Sequence, residues 1–316
     1  MKIAIIGEIH SEGWEKLEKF NFNAFEIVNT EENNLKKELE DVDGIIIRAA
    51  PNLTSDILKN CKKIKIIARH GVGYDNIDFG YLNQNNIALG VTGTSNAVSV
   101  AEHVLASFLY LTKNINLSDE LTRKGNFINK SSLPDFFELY KKNVVIFGFG
   151  RIGKAVAKRC IGFETNVYVF DPFISDSEIN KHHCVPVDKI KGIKLADYIS
   201  VHLPLNQDTK NFISDEDFAL MKNSVIIANT ARGGIINENA LLNALKNKKI
   251  LGASLDVFEK EPPDSNNPLL KNSRVLLSPH SSSFTKECKS RMGIETAQNI
   301  IDFFENKTKE SMVVKL

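Results

Sequence analysis

Short β-branched runs alternate with amphipathic segments along most of this chain, and no other feature narrows its fold so much. Ile3–Ile6, Gly44–Ile47 and Ile64–Ala68 read as buried strands, bounded by glycine or by charge. Glu12–Phe20 and Leu35–Leu39 carry helical spacing between them. Strands of this kind separated by helices imply a parallel sheet covered on both faces. The alternation pauses at Ala97–Thr112, one long helix, and at the polar stretch Lys124–Pro134, read as a loop or arm. It resumes with strands at Val144–Phe147, Asn166–Phe170, Tyr198–Val201, Val225–Ala228, Leu251–Asp256 and Val275–Leu277, with helices at Ile152–Cys160 and Glu238–Leu245. A last helix is predicted over Lys286–Glu305. Two such runs predict two doubly wound α/β domains, and 316 residues suffice for two cores.

Charge excludes some partners. The 40 Lys+Arg and 39 Asp+Glu residues leave a net +1, so no broad field attracts nucleic acid or an anionic membrane. The most apolar stretch, Val98–Leu111, is broken by Glu102 and His103, short of the ~18 apolar residues a membrane helix needs. Four scattered cysteines form neither a disulfide framework nor a zinc spacing. They read as reduced thiols, and the protein is expected in the cytoplasm. His182-His183-Cys184 lacks further clustered ligands, so no metal is expected.

The strongest single motif is the loop Gly148-Phe149-Gly150-Arg151-Ile152-Gly153, with the apolar run Val144–Phe147 before it and a helical pattern after it. In that context Gly148 allows a tight turn, Gly150 lets backbone approach a pyrophosphate, and Gly153 lets helix pack on strand. The helix N-terminus supplies free N–H groups and partial positive charge for phosphates. Asp171 lies 18 residues after Gly153, at the end of the next strand. A carboxylate there suits ribose hydroxyls and repels a 2′-phosphate, so the expected cofactor is NAD.

Three later segments each place a titratable or charged residue just beyond a predicted strand, where ligands bind in open parallel sheets. They are Asn229–Gly234 with Arg232, Leu255–Pro262 with Glu261, and Ser278-Pro279-His280. Hydride exchange between nicotinamide and a 2-hydroxy/2-keto acid needs a proton donor and acceptor for the carbinol oxygen, a task that suits histidine. A carboxylate beside it stabilises the imidazolium and fixes its tautomer, and an arginine can grip the substrate carboxylate. His280, Glu261 and Arg232 receive these roles.

With these motifs the sequence resembles the D-isomer-specific 2-hydroxyacid dehydrogenases, especially their phosphoglycerate dehydrogenase-like branch. The likeness runs through Arg69–Asp78, Val100-Ala101-Glu102-His103, Gly148–Gly153, Val201–Leu205, Ala231–Gly234, Leu255–Phe258 and Pro279-His280. It implies a Rossmann-type NAD domain, residues 97–284, inserted into a flavodoxin-like substrate domain, residues 1–96 and 285–316. It implies Arg232, Glu261 and His280 as the catalytic set, Asp256 on the nicotinamide carboxamide, and His202 and Pro204 lining the cofactor. Thr209, Ala231 and Ser282 complete the implied cofactor set, beside the residues of the glycine loop and Asp171. It also implies a homodimer built on the cofactor domains.

At the substrate end, Gly71-Val72-Gly73 offers consecutive N–H groups that can cup a carboxylate. Arg48 and Arg69 end two strands, and with Asn96 they complete the expected substrate set. Two arginines favour an anionic substrate, and the expected pair is 3-phosphoglycerate and phosphohydroxypyruvate, in serine biosynthesis. Hydroxypyruvate/glyoxylate reductase or another D-2-hydroxyacid dehydrogenase is the alternative, and a non-enzymatic, NAD-sensing corepressor-like scaffold is the alternative of another class. The chain departs from the family at Ser281-Ser282-Ser283, at Thr92–Asn96, at Lys141 where a glycine is usual, and at His70 where a small residue is common. A left-handed backbone at Ser282 would cost about 1–2 kcal/mol. The sequence ends at Leu316, without the regulatory domains of some phosphoglycerate dehydrogenases, so no serine feedback through such a domain is expected.

Overall fold

Isoleucine runs without polar alternation belong in the middle of a parallel sheet, and the computed structural model, which describes residues 1–307, places them there. The first of its two units comprises Met1–Asn96 and the chain from Phe284. Its N-terminal part runs β1 (Lys2–Ile6), α1 (Ser11–Lys19), β2 (Asn23–Ile27), α2 (Glu32–Glu38), β3 (Gly44–Ile47), α3 (Ser55–Leu58), β4 (Ile66–Arg69), α4 (Phe79–Gln84) and β5 (Ala88–Val91). All five strands are parallel, in the order β2-β1-β3-β4-β5. That is the flavodoxin-like order. On one face Leu35, Leu39, Ile57 and Leu82 pack against the strands, and on the other Leu17, Ala297 and Ile300 do.

The second unit, Ala97–Ser283, opens with α5 (Ala97–Lys113) and α6 (Ile115–Arg123). It continues through β6 (Asn143–Phe147), α7 (Arg151–Gly162), β7 (Asn166–Phe170), α8 (Asp176–Lys181), β8 (Val185–Pro186) and α9 (Lys189–Leu195). Then follow β9 (Tyr198–Val201), α10 (Asp215–Leu220), β10 (Ile226–Asn229), α11 (Glu238–Lys246), β11 (Gly252–Leu255) and β12 (Val275–Leu277). The last helix, α12 (Lys286–Phe304), returns to the first unit. The seven-stranded sheet is parallel throughout, in the order β12-β11-β10-β9-β6-β7-β8. This is the dinucleotide-fold order with one strand added, and its order reverses between β6 and β9. The strands feed two cores, one on each face. Phe108 of α5 is fully buried and meets Tyr198 of β9 at 5.1 Å between ring centroids. Burying such a side chain contributes about 1.5–3 kcal/mol.

The structure corrects several sequence expectations. β2, β5 and β8 lie where no strand was predicted. The expected strand from Ile64 starts at Ile66 and runs through Arg69. The supposed loop Lys124–Pro134 contains a 3-10 turn, Phe127–Ser132. Lys141 has φ +57°, so a lysine occupies left-handed backbone where the resembled family usually has glycine. Residues 308–316, the end of the expected substrate domain, lie outside the described residues.

All four cysteines are buried, and none forms a disulfide among the described residues. Burial pushes the Cys61 and Cys184 thiols up to about 11 and Cys160 to about 12, which makes them poor nucleophiles.

Candidate active site

The glycine loop sits where the seven-stranded sheet reverses its order. Gly148 follows β6 with φ +95°, and a Cβ there would lie 2.7 Å from the His202 carbonyl carbon at the end of β9. A Cβ on Gly153 would lie 2.1 Å from the Gly148 oxygen, so loop and helix touch through backbone. Gly150 is different. It is the N-cap of α7 at φ −71°, and a Cβ there would meet nothing within 4 Å. Nothing in the folded chain requires glycine at that position, whereas a ligand held against the backbone does.

Asp171 holds this loop from the end of β7. Its carboxylate accepts the Phe149 N–H at 2.7 Å and the Phe173 N–H at 2.9 Å. It lines a small pocket of about 290 Å³ with Phe170, Ile179 and Pro186. From α8, Glu178 accepts from Lys154 at 2.7 Å and meets His182 at 3.3 Å. Lys154 above all draws that carboxyl down to about 2.

His202 is half-buried with its Nδ1 enclosed, and desolvation pushes its imidazole down to about 3, so it is neutral at physiological pH. Its Nε2 shares a 2.7 Å hydrogen bond with Ser200, while its Nδ1 is buried without a partner. The Thr209 hydroxyl donates to the Pro204 carbonyl at 2.5 Å and accepts from Asn206 N–H, closing the turn after β9. The buried Thr230 hydroxyl likewise lacks a partner. The open side of Gly150, the free end of α7 and these two unpartnered polar atoms fit a bound dinucleotide.

The three residues expected to carry the chemistry, Arg232, Glu261 and His280, lie beyond β10, β11 and β12. His280 Nδ1 is 2.8 Å from Glu261 Oε2, and Glu261 Oε1 accepts the Phe258 N–H at 3.1 Å. The carboxylate is thus held from both sides, and Nδ1 of His280 carries the proton that faces it. Arg232 stands on a loop tied by Asn229, which accepts from Ala231 N–H at 3.0 Å and donates to the Arg232 carbonyl at 2.8 Å. The Arg232 guanidinium donates to the Ala231 carbonyl at 2.7 Å. A Cβ on Gly233 would lie 1.8 Å from the Phe258 oxygen. The arginine loop therefore packs directly on the segment that braces Glu261.

Asp256 organises the turn that carries His280. It is fully buried and accepts Ser278 Oγ–H at 2.6 Å, Ser281 N–H at 2.8 Å and Ser282 N–H at 3.0 Å. Its carbonyl accepts the His280 N–H at 2.8 Å. Three of about four acceptor positions on the carboxylate are filled, which leaves one for a ligand amide. His103 Nε2 lies 3.3 Å from Ser278 Oγ behind this clamp. The expected left-handed strain at Ser282 is corrected here: the left-handed residue of this turn is His280 itself, at φ +52°, and Ser282 is not among the positive-φ residues. The Asp256 bonds fix the turn so that the catalytic candidate, not a serine, takes that conformation.

The remaining expected residues belong to the other unit. Arg48 and Arg69 end β3 and β4, and Gly71, at φ +149°, turns the chain after them. The His70 N–H bonds Ile47 O at 2.8 Å and the Thr92 N–H bonds Gly71 O at 3.0 Å, so the Gly71-Val72-Gly73 turn is pinned to the sheet. Arg69 donates to the His70 carbonyl. Arg48 donates to the Glu8 carbonyl at 3.4 Å and pairs with no carboxylate among the described residues. His70 is buried, its Nε2 has no partner, and burial followed by the Arg48 charge brings it down to about 4. Asn96 presents a buried Oδ1 without a partner. The departure at Thr92–Asn96 has a local reason. Thr94 and Ser95 donate their hydroxyls to Glu295 of α12, and Arg291 donates twice to the Ser95 carbonyl, at 3.0 and 3.1 Å.

Sequence reasoning quoted Asn229, Ser278 and His103 only inside motifs and gave neither them nor Ser200 a role. Three of them lie inside or beside strands whose ends were singled out, so strand-end polarity was the available signal.

Residues 105–282 match the family profile described as D-isomer specific 2-hydroxyacid dehydrogenase, NAD binding domain. The chain belongs to this family, and residues 105–282, within its second unit, match the family's NAD-binding domain. It is 33% identical over 302 residues to the D-3-phosphoglycerate dehydrogenase of Archaeoglobus fulgidus, covering 96% of this chain and 57% of that protein. It thus spans little more than half the length of that relative. It is 36% identical over 272 residues to the hydroxypyruvate reductase of Thermotoga maritima, covering 85% of this chain and 87% of that protein. The D-lactate dehydrogenase of Aquifex aeolicus, solved with NAD and lactic acid, matches with a TM-score of 0.84 at 25% identity, over 99% of this chain and 98% of that one.

Proposed function

We propose that the chain is an NAD-dependent D-2-hydroxyacid dehydrogenase that interconverts a 2-hydroxy acid and its 2-keto acid, with 3-phosphoglycerate and phosphohydroxypyruvate as its substrates. The single observation that carries the reading is the His280–Glu261 pair at 2.8 Å, with the second Glu261 oxygen braced by Phe258 N–H. Bound NAD(H) supplies or accepts the hydride. His280 gives a proton from Nε2 to the keto oxygen on reduction and takes it back on oxidation. Glu261 keeps Nδ1 protonated and offsets the imidazolium charge. Arg232 grips the substrate carboxylate and polarises the keto group.

The roles assigned to Gly148–Gly153, Asp171, His202, Pro204, Thr209, Ala231, Asp256 and Ser282 toward the cofactor belong to the same proposal. So do those of Arg48, Arg69, Gly71–Gly73 and Asn96 toward the substrate, and the division into cofactor and substrate domains. The unpaired Arg48 supports an anionic substrate. A hydroxypyruvate reductase is the second reading, favoured by the relative of that name whose length this chain nearly spans. NADH consumption against phosphohydroxypyruvate, hydroxypyruvate, glyoxylate, pyruvate and a branched 2-keto acid decides between them. Preference for phosphohydroxypyruvate that is lost in Arg48→Ala supports the first reading, and preference for an unphosphorylated acid supports the second.

The chain is proposed to work as a homodimer in the cytoplasm. α6 buries none of its residues, and Ile115, Leu117, Phe127 and Ile128 around it are exposed, Ile128 to 91%. A second copy is the simplest cover for such a cluster. Light scattering is expected to give twice the 35.3 kDa chain mass, and a monomer at micromolar concentration contradicts the dimer. Buried thiols outside any disulfide suit a reducing compartment, and among the described residues no helix is long and apolar enough to cross a membrane.

A further inference from the structure

Two cations approach one aromatic ring in the first unit. The Arg48 guanidinium lies 5.9 Å from the centroid of Phe284, and Lys289 Nζ lies 5.5 Å from it. Both contacts fall within cation–π range. Neither cation has a carboxylate partner among the described residues, and Phe284 is 51% exposed. Lys289 stands in the first turns of α12, a 19-residue helix whose N-terminus is capped by Thr285. The positive end of that helix therefore adds to the same field. Beside Arg48, the buried His70 keeps an Nε2 with no partner and feels the charge of both Arg48 and Arg69.

Two like charges drawn to one ring repel each other, and the ring's negative face offsets only part of that repulsion. An anion offsets it fully. A substrate carboxylate has another place to bind, the N–H groups of Gly71–Gly73. A second anionic group is then the ligand this cluster lacks.

We propose that Lys289, with Phe284 and Arg48, receives the distal phosphate of a phosphorylated 2-keto acid and sets the preference for phosphorylated over unphosphorylated substrates. The inference rests on the dehydrogenase reading above. Phe284 spaces the two cations, and Lys289 is the specificity-determining residue, a point charge able to follow a phosphate.

The test uses the full chain with phosphohydroxypyruvate, hydroxypyruvate and 2-oxoglutarate, whose distal group is a carboxylate. Lys289→Met is expected to raise the ratio of KM for phosphohydroxypyruvate to KM for hydroxypyruvate about tenfold, the scale of one charge-assisted hydrogen bond. Lys289→Arg is expected to retain most of the wild-type ratio. Independently of turnover, inorganic phosphate should raise the melting temperature of the wild type and of Lys289→Arg more than that of Lys289→Met. An unchanged KM ratio, or equal stabilisation of Lys289→Met by phosphate, overturns the proposal. Lys289-dependent preference for 2-oxoglutarate overturns the phosphate and assigns the cluster to a carboxylate. If no acid is turned over, the dehydrogenase reading fails, while the phosphate-dependent melting shift still decides whether Lys289 binds an anion.

Discussion

His280→Ala is expected to lower kcat for 2-keto acid reduction by about 10²–10⁴-fold, the usual contribution of a positioned general acid. The loss should appear in kcat while NADH binding persists, because the glycine loop and Asp171 do not depend on the imidazole. Glu261→Gln tests the partner. Glutamine has a single acceptor oxygen, so it can accept the Phe258 N–H or the Nδ1–H but not both, and it carries no charge to offset the imidazolium. Its effect should therefore be smaller than that of His280→Ala and should change the pH profile of kcat. The turn itself should survive His280→Ala, since Asp256 holds it through the backbone of Ser281 and Ser282 and through Ser278. Pre-steady-state NADH oxidation separates the chemical step from binding, and an unchanged rate in His280→Ala contradicts the assignment.

Gly150→Ala is the second large expected effect, and it separates ligand binding from folding. Position 150 has ordinary backbone at φ −71° and open space where a Cβ would go. Alanine there should leave the melting temperature unchanged or slightly raised, as for other glycines replaced at compatible backbone. It should still weaken NADH, because the added methyl stands between the backbone and the pyrophosphate. An overpacking cost of about 1–3 kcal/mol corresponds to a roughly 5- to 150-fold rise in Kd. Gly153→Ala should behave in the opposite way. Its Cβ would sit 2.1 Å from the Gly148 oxygen, so the loop must move and the fold itself is destabilised. Paired titrations of NADH fluorescence and thermal melts check both, and an unaltered Kd in Gly150→Ala contradicts the cradle.

The glycine loop, Asp171, Glu261 and His280 were legible because each is encoded locally. Glycine spacing, a carboxylate at a strand end and a Pro-His pair survive without knowledge of distant contacts. What holds those residues was not legible. Asp256 is clamped by N–H groups 25 and 26 residues further along the chain. No sequence window joins them. The same clamp explains why left-handed backbone falls on His280 rather than on Ser282, where a glycine comparison pointed. β2 and β8 escaped notice for another reason. β2 has a single fully buried residue and β8 is only two residues long, and both close edges of sheets, so they lack the apolar runs that mark central strands. Lys141 shows that a departure from a family pattern need not change the backbone, since a lysine holds φ +57° where glycine is usual.

The pairing of Arg48 was also beyond the sequence. An arginine at a strand end can serve a neighbouring carboxylate or a ligand, and only the folded unit shows that its near contacts are a backbone carbonyl and an aromatic ring. That observation ties the substrate proposal to the fold.

The most direct test of the central claim is the configuration of the product formed when the purified protein consumes NADH with a prochiral 2-keto acid. The account predicts stoichiometric NADH oxidation and a 2-hydroxy acid of D configuration, resolved by chiral chromatography. An L product, or NADH that binds without being oxidised by any acid of the panel, would contradict it.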